Sequence, residues 1–541
     1  MGAYLNSQTP YTLYQSESRS PYFVDKTMLL QELFPYVAAG NRHLCVTRPR
    51  RFGKTIAANM ISSFFQKGID SGELFDRLKI SEADDCQKYK NKYNVIRIDF
   101  SKMPRNCESY RQYIERVEEL LISDLREAYP DAKTSETDAI GDILEEIFQQ
   151  YHGEKFIFVL DEWDFIFHRG FITEADKAKY VAFLSNLLKD RPYVILSYMT
   201  GILPIAKYSS GSELNMFAEF TMVNSPMFGT YFGFTDDEVD DLYERYCREC
   251  EKQRKIKNVT RKGLRDWYNG YYTKSGERVY NPRSVVFALQ FNNLANYWTS
   301  SGPYDEIYYY IRNNVSDVRD DLALMAAGES VSAKIQEYAA TSMNLSTRDE
   351  IYSAMVVYGF LSYLNGKVSI PNRELMEKFD ELLMKNESLG YVYRLAKESE
   401  KMLKATLAGD THTMEKILEL VHDTEVPLLS YNHETELSAI VNLVYLAARD
   451  SYRVEREDKA GVGYVDFIFY PYDLTADGII LELKVDHTPE EAIQQIKDRK
   501  YALKFVPRLA EQKKYTGKIL AVGIGYEKTE KTHRCRVESL N

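Results

Sequence analysis

The sequence has few of the features that mark secreted, membrane-spanning or zinc-binding proteins. Only six of its 541 residues are cysteine, and Cys247 and Cys250 are the one close pair. Without a second pair at ligand spacing a zinc site is not expected, and free thiols favour a reducing compartment. No apolar run approaches 18 residues, and the N-terminus has no basic stretch followed by an apolar one. We therefore expect a cytoplasmic protein that has no membrane partner.

Positive charge is also scarce. The chain has 69 lysine and arginine residues against 80 aspartate and glutamate residues, so its formal net charge is −11. A surface that is basic throughout is thereby excluded, and any nucleic-acid site must be local. A chain of 541 residues is too long for one hydrophobic core, which predicts three or four domains.

The segment 48–55, Arg-Pro-Arg-Arg-Phe-Gly-Lys-Thr, has the order of a phosphate-binding loop. It follows a short apolar strand and precedes a helix, so backbone N–H groups at the helix start can face an anion. Lys54 would then reach the outer phosphates, and the Thr55 hydroxyl would hold Mg²⁺. Arg48 stands where the full pattern has glycine, so the loop is degenerate. The alternative is a basic surface turn before a helix.

A second apolar run, residues 155–160, ends in two acids. Its continuous apolar character is typical of a strand buried on both faces of a parallel sheet. Acids just past such a strand lie where open α/β sheets bind their ligands. Asp161 is expected in the Mg²⁺ shell, and Glu162 is expected to orient the attacking water. With the loop at 48–55 upstream, an ATP site is favoured over a capped strand end.

Further strands and helices alternate around these motifs and predict a parallel sheet covered on both faces. Residues 193–201 form a predicted strand, and Thr200 at its end is either a hydroxyl near the γ-phosphate or a strand-end cap. Residues 22–27 either pack beside the nucleotide base or begin a plain capped helix. Residues 1–20, polar and rich in tyrosine, are predicted to be an irregular lead-in.

These motifs together resemble the AAA-ATPase-like family of bacterial proteins, in which an arginine-rich P-loop without its first glycine is the usual form. The matching segments are residues 22–27, 48–55, 161–164, 200–205, 231–235, 267–271 and 279–284. The resemblance implies a divergent P-loop ATPase with a helical lid, and ATP and Mg²⁺ as cofactors. The predicted cofactor-binding residues are Arg48, Pro49, Arg50, Arg51, Phe52, Gly53, Lys54, Thr55, Asp161 and Thr200, with Thr55 and Asp161 also on the metal.

Two predicted strands joined by a turn carry a second constellation, at residues 463–470 and 479–485. The period of two along a strand places Glu482 and Lys484 on one face, and an antiparallel partner can place Asp466 beside them. Carboxylates there can hold Mg²⁺ or Mn²⁺, and the metal and the lysine can position and activate a water for phosphodiester hydrolysis. The alternative is a hairpin whose charged edge faces solvent.

This constellation resembles the PD-(D/E)XK nuclease superfamily, although the proline before the first acid is absent. Catalytic roles are predicted for Asp466, Glu482, Lys484 and Gln495, as for Glu162 in the ATPase, and Glu434 matches the acid of the superfamily's first helix. The predicted metal ligands here are Glu434, Asp466 and Glu482. Between Lys497 and Lys518 eight lysine or arginine residues stand against two acids, a positive strip suited to a phosphate backbone.

The sequence thus predicts an α/β protein in four parts. These are a P-loop ATPase domain at 1–235, a helical lid at 236–300, a helical and winged-helix-like domain at 301–425, and a restriction-endonuclease-like domain at 426–541. The predicted function is an ATPase fused to a metal-dependent nuclease, with DNA favoured over RNA as partner, serving defence or mobile-element conflict. The sequence leaves open whether the chain forms a homo-oligomer. The alternatives are an ATP-gated regulatory protein and a nucleic-acid-binding protein whose nuclease fold is inactive.

Overall fold

A computed structural model describes residues 2–135, 137–205, 213–298, 315–335, 345, 347–420, 434–460, 463–502 and 515–540, with 315–317, 434, 435, 457–460, 463 and 464 by backbone only. The chain forms two compact units. One comprises Met1–Pro303, Ala333–Leu345 and Asp349–Glu374, and the other comprises Tyr304–Ser332, Ser346–Arg348 and Leu375–Asn541. The predicted division into four domains is finer than this and stays a prediction. Within the described ranges, no helix combines the length and the apolar character needed to cross a bilayer.

The first unit is built on a sheet of five parallel strands. They are β1 Arg42–Thr47, β2 Asn94–Asp99, β3 Phe156–Asp161, β4 Val194–Gly201 and β5 Ala218–Phe220, in the spatial order β2-β3-β4-β1-β5. β3 is buried along its whole length, as its continuous apolar sequence predicts. Because all strands run in one direction, the loops after β1, β3 and β4 meet at the same edge of the sheet, where such folds bind ligands.

Helices cover this sheet. They are α1 Gln8–Ser18, α2 Leu29–Ala39, α3 Lys54–Phe65, α4 Gly72–Phe75, α5 Cys86–Tyr89, α6 Tyr110–Ala128, α7 Ile140–Gln150 and α8 Glu174–Leu188. Short 3₁₀ turns lie at Lys79–Glu82, Phe165–His168 and Gly229–Tyr231. The predicted parallel α/β sheet is therefore confirmed.

The expectation of an irregular N-terminal lead-in is wrong. The Ser7 side chain caps α1 by accepting a hydrogen bond from the N–H of Thr9. Before it, the chain is held by Asp124, whose carboxylate accepts hydrogen bonds from three successive N–H groups at residues 3–5. Tyr14 is buried in the core of the unit. The sequence does not reveal this helix because its buried contacts are few and tyrosine-rich, without an apolar stripe of helical period.

The lid consists of α9 Asp236–Gln253, α10 Arg261–Tyr268 and α11 Pro282–Phe291, with the short hairpin β6 Tyr271–Tyr272 and β7 Arg278–Val279. Thr235 and Glu238 form a capping box at the start of α9, and Asn281 caps α11. Pro282 occupies the first turn of α11, where its missing N–H costs no hydrogen bond. The helix α9 therefore begins directly after the motif segment 231–235, and α11 begins within the motif segment 279–284.

The middle of the chain has α12 Val315–Ala326, β8 Val331–Ser332, α13 Arg348–Tyr358, β9 Ser362–Leu364, β10 Lys367–Ser369 and α14 Arg373–Lys385. β9 and β10 pair antiparallel, with Val368 opposite Tyr363. The winged-helix-like interpretation of this region stays a prediction.

The second unit contains a mixed five-stranded sheet in the order β11-β12-β13-β14-β15. The strands are β11 Tyr452–Ala460, β12 Gly463–Pro471, β13 Gly478–Val485, β14 Ile519–Glu527 and β15 Thr532–Leu540, and only the β13–β14 pair is parallel. Its helices are α15 Tyr391–Lys397, α16 Ser399–Ala408, α17 Thr411–Glu419, α18 Glu434–Val444 and α19 Pro489–Asp498, with 3₁₀ turns at Glu387–Leu389 and Leu446–Asp450.

The helix α19 packs closely on the centre of this sheet. Thr488 and Glu491 form a capping box at its start, and Pro489 occupies its first turn. A Cβ atom on Gly523 of β14 would lie 2.2 Å from the carbonyl oxygen of Pro489. Only glycine therefore permits this close approach, which holds α19 beside β13.

Candidate functional site

The P-loop turns sharply from β1 into α3. Gly53 has φ +92°, a left-handed conformation that glycine adopts without strain, and it immediately precedes the first residue of the helix. Gly53, Lys54 and Thr55 line a cavity of about 360 Å³. This volume lies within the range of small-molecule sites, and the start of α3 presents backbone N–H groups to it.

Lys54 is buried at this cavity. Its ammonium donates hydrogen bonds to the carbonyl oxygens of Arg48 at 3.0 Å and Pro49 at 3.1 Å. Burial lowers the pKa of Lys54, and the carboxylate of Glu162 opposes the shift. An ammonium has three N–H donors, and two of them are used by these neutral carbonyl oxygens. A phosphate can therefore compete with the carbonyl oxygens for the ammonium.

Arg48, in the position of the missing glycine, fastens the loop instead of lining the cavity. It is 1% exposed, and its Nη1 donates to the carbonyl oxygens of Thr47 and Phe220, both at 2.7 Å. Its guanidinium lies 5.1 Å from the ring centre of Phe232. Pro49 and Arg50 also lie outside the lining of the cavity, whereas Arg51 and Phe52 belong to it. Nucleotide contacts by the first three residues stay predictions.

Asp161 ends β3 and is fully buried. Its Oδ2 accepts from Nη2 of Arg97 at 3.0 Å, while its Oδ1 has no hydrogen-bond partner within the described residues. Burial raises the pKa of Asp161 to about 6; Arg97 and the hydroxyl of Thr55 oppose that shift. Thr55 and Asp161, the predicted Mg²⁺ ligands, are thus brought together around a buried carboxylate oxygen. Such hard oxygen donors suit Mg²⁺.

Glu162, the residue after Asp161, lines the cavity. It has φ +53°, a left-handed conformation that is uncommon for a residue other than glycine and is often found at functional sites. Burial raises the pKa of Glu162, and the ammonium of Lys54 opposes the shift. The left-handed backbone of Glu162 therefore accompanies its place at the cavity, where the sequence predicts an acid that orients water.

Thr200 does not reach the cavity. Its side chain is fully buried, and its hydroxyl donates to the carbonyl oxygen of Val46 at 2.8 Å, which links β4 to β1. This geometry matches the strand-end alternative, and a contact between Thr200 and nucleotide stays a prediction. The neighbouring Asp164 accepts from the N–H groups of Ile202 and Leu203, so the loops after β3 and β4 are joined.

Further residues that line this cavity come from the lid and from the N-terminal part of the chain. The lid contributes Pro282, Arg283, Val286 and Phe287. Tyr14 and Glu17 of α1, which had no predicted role, also line it, as do Tyr22, Phe23 and Val24 of the segment 22–27, for which a place beside the nucleotide base was one of two alternatives. Burial lowers the pKa of Arg51, and Arg283 adds to this effect, so the two cations stand close together. The signal for Arg283 was its place directly after the proline that begins a lid helix.

The second constellation assembles on the β12–β13 hairpin. Antiparallel pairing between these strands places Phe467 opposite Leu481, and Asp466 and Glu482 are the next residues. The N–H of Leu483 donates to Oδ2 of Asp466 at 2.7 Å. Glu482 Oε1 accepts from Lys484 at 3.3 Å and from Gln495 of α19. The four predicted catalytic residues of this unit are thus brought together.

Glu482 is the buried centre of this group. It is 2% exposed, and its Oε2 has no hydrogen-bond partner in the described part of the chain. Burial and the neighbouring Asp466 raise the pKa of Glu482 to about 7, against the attraction of Lys484. Two adjacent carboxylates, one with an unpartnered buried oxygen, match the oxygen donors that divalent cations prefer.

Two predicted contributors lie outside the described residues. Glu434 begins α18, but its side chain is not described, and neither are residues 503–514 of the positive strip. The described ranges contain no group of three His, Cys, Asp or Glu side chains that could hold a metal ion. Within the strip, Lys497 forms an ion pair with Glu538.

Comparison with known proteins identifies both regions. Residues 14–210 match the AAA-ATPase-like family model, described as a predicted AAA-ATPase. Residues 435–533 match the family model described as the PD-(D/E)XK nuclease superfamily. Both resemblances drawn from the motifs are confirmed, and the chain is an AAA-ATPase-like region fused to a PD-(D/E)XK region.

The relatives found beyond these models are distant. An uncharacterized protein in the vnfD 5′ region of Azotobacter chroococcum mcd 1 is 23% identical over 290 residues, which cover 52% of this chain and 51% of that protein. The chain therefore spans about half the length of this curated relative.

Two archaeal structures are similar to part of the chain. The Walker-type ATPase PABY2304 of Pyrococcus abyssi is 10% identical with a TM-score of 0.34, covering 65% of this chain and 94% of its own. The ORC2 protein of Aeropyrum pernix, in ADPNP–ADP complexes, is 12% identical with a TM-score of 0.32, covering 66% and 91%. The strand order of the first unit by itself establishes the parallel sheet, without support from these two structures.

The Arg97–Asp161 pair leads to a prediction about the AAA-ATPase-like region. Arg97→Ala leaves a buried carboxylate uncompensated, so we expect it to lower the free energy of unfolding by about 3–5 kcal/mol. Arg116→Ala is the matched control, because Arg116 lies in an exposed pair with Glu119 at 3.9 Å and should change stability by at most about 1 kcal/mol. All three tryptophans lie in the first unit, so urea unfolding followed by tryptophan fluorescence measures it. Equal losses in both variants would contradict the prediction.

Proposed function

We propose that the chain binds and hydrolyses ATP in its AAA-ATPase-like region and cleaves DNA phosphodiesters with divalent metal ions in its PD-(D/E)XK region. The observation that supports the first part is one cavity that combines Gly53, Lys54, Thr55 and Glu162 with the lid residue Arg283. Cations, helix N–H groups and a carboxylate around one space are what phosphoryl transfer to water requires. The cellular setting we propose remains defence or mobile-element conflict in the cytoplasm.

At the ATP site the chain's own groups divide the work. Lys54 leaves the carbonyl oxygens of its loop to bind the outer phosphates, and Arg51 and Arg283 offset phosphate charge beside it. Thr55 and Asp161 would hold Mg²⁺, which supplies charge neutralisation at the phosphate oxygens. Glu162 accepts a proton from, and orients, the attacking water.

Binding should depend on Lys54. Lys54→Ala removes a charge that pairs with phosphate, so we expect ATP affinity to fall by about 1.5–3 kcal/mol, the scale of a hydrogen bond to a charged group. Isothermal titration calorimetry with ATP and Mg²⁺ measures it. Lys133→Ala, at an exposed position of the same unit, should bind as the wild type does. Equal affinities in all three proteins would exclude Lys54 from the site.

Hydrolysis should depend on Glu162 more than binding does. Glu162→Gln keeps the side chain's shape but removes its basic oxygen, so we expect turnover to fall about 100-fold or more while ATP affinity stays near that of the wild type. Steady-state phosphate release and calorimetry on the same preparation give the two values. Undiminished phosphate release would remove the assigned role. Binding without release in the wild type would favour the regulatory alternative.

The nuclease proposal is supported by the meeting of Asp466, Glu482, Lys484 and Gln495 at one end of the hairpin. Asp466 and Glu482, with Glu434 as predicted partner, would hold Mg²⁺ or Mn²⁺. The metal would supply a nucleophilic water and charge stabilisation at the scissile phosphate. Gln495 orients the Glu482 carboxylate, and Lys484 faces the phosphate charge.

Each acid and the lysine should be needed for cleavage. Asp466→Ala, Glu482→Ala and Lys484→Ala should each reduce DNA cleavage below detection, because each removes a metal ligand or the cation at the phosphate. Gel-based assays in Mg²⁺ and Mn²⁺ measure it, and Glu530→Ala, exposed in the turn after β14, should cleave normally. DNA binding at two salt concentrations should persist in all variants, because the positive strip acts through counterion release.

The outcomes separate the candidate functions. Cleavage that persists in Asp466→Ala, or that needs no metal, would refute the assigned centre. A wild type that binds DNA or RNA but cleaves neither would favour the nucleic-acid-binding alternative with an inactive fold.

A further inference from the structure

The cavity at the P-loop has two chemically different parts to its wall. The P-loop and the lid contribute the cations Lys54, Arg51 and Arg283. The helix α1 and the segment after it contribute Tyr14, Glu17, the aromatic residues that follow and Lys26, whose ammonium is paired with Glu238 at 2.6 Å. A nucleoside triphosphate has the same polarity, with phosphates at one end and a flat aromatic base carrying hydrogen-bonding groups at the other.

Glu17 is the only acid in the described lining of this cavity apart from Glu162. It is accessible to solvent at the end of α1, and its carboxylate has no ion-pair or hydrogen-bond partner among the described residues. Partial burial raises the pKa of the Glu17 carboxyl, and no cation contributes to its shift. An acceptor without a cation, placed on the wall of a cavity, suits a neutral donor and not a phosphate.

The residues around Glu17 are suited to a base. Tyr14 is 2% exposed, and its hydroxyl has no hydrogen-bond partner within the described residues. Burial raises the pKa of Tyr14, and the charges of Asp25 and Glu17 add to this effect, so Tyr14 and Glu17 are neighbours. Phe23 packs edge-on against Tyr14 with ring centres 6.2 Å apart, and both rings line the cavity. Aromatic walls of this kind stack on nucleobases.

We infer that Glu17 is a specificity-determining residue of the ATP site, whose carboxylate accepts a hydrogen bond from the exocyclic amino group of adenine. This inference rests on the proposed ATP binding. It adds recognition of the base, which residues that contact only the phosphates cannot provide. Guanine presents a carbonyl oxygen where adenine carries its amine, and a carboxylate facing that oxygen is repelled. The site should therefore select adenine through a residue of the helix that precedes the P-loop.

The test compares nucleotides that differ only in the base. Dissociation constants for ATP, GTP and purine riboside triphosphate, which lacks the amine, are measured with Mg²⁺ on the full chain. The wild type should bind ATP about 10- to 100-fold more tightly than the analogue without the amine, the range of one hydrogen bond to a charged group. In Glu17→Ala this ratio should approach one, and in Glu17→Gln, whose amide oxygen still accepts, part of it should return.

Ratios are used because removing a negative charge changes the affinity for every triphosphate alike. Glu127→Ala, an exposed glutamate on α6, should keep the wild-type ratio. The inference is overturned if Glu17→Ala keeps the ratio, if the wild type shows none, or if GTP binds more tightly than ATP. In those cases ATP binding that is weakened by Lys54→Ala would leave the proposed function standing. A wild type that binds none of the three nucleotides would overturn both.

Discussion

A buried carboxylate with one unpartnered oxygen is the constraint that both candidate sites share. In the first unit Asp161 bonds to Arg97 through one oxygen, and in the second Glu482 bonds to Lys484 and Gln495 through one oxygen. Among the described residues the other oxygen of each acid has no hydrogen-bond partner. Burying a charge without partners is costly, so each fold supplies a compensating cation, Arg97 to Asp161 and Lys484 to Glu482. The divalent ions that we propose at both sites would compensate the remaining negative charge of these carboxylates.

The degenerate P-loop shows how a fold can replace a glycine. The glycine of the full motif gives its loop freedom at the first turn, and Arg48 removes that freedom. In exchange, its guanidinium bonds to the carbonyl oxygens of Thr47 and Phe220 and packs on an aromatic ring. The indole N–H of Trp298 donates to the carbonyl oxygen of Arg50 and holds the same loop from another side. The loop is therefore shaped by anchors outside it, and the left-handed conformations of Arg51 at φ +71° and Gly53 at φ +92° turn it into α3.

The wall of the cavity that we propose for ATP comes from parts of the chain that are far apart in sequence. The helix α1 was missed because its packing depends on tyrosines and on backbone bonds to Asp124, features that have no helical period. Its residues Tyr14 and Glu17 nevertheless face the same space as the lid residue Arg283. The groups that we propose for phosphate and for the base are thus brought together by the sheet and lid, and no short motif contains both.

The sequence by itself determined the class of the fold and supplied most of the residues that we propose for the two sites. A strand, loop and helix around Gly53 and Lys54, and a strand pair carrying Asp466 and Glu482, are local patterns whose geometry follows from the period of strands and the start of helices. Only the tertiary structure decided which side chains line the cavity and which are turned away from it. Arg48 and Thr200 lie in the predicted motifs, yet their side chains turn to the carbonyl oxygens of neighbouring strands, because buried polar groups must be paired and those acceptors come from other strands.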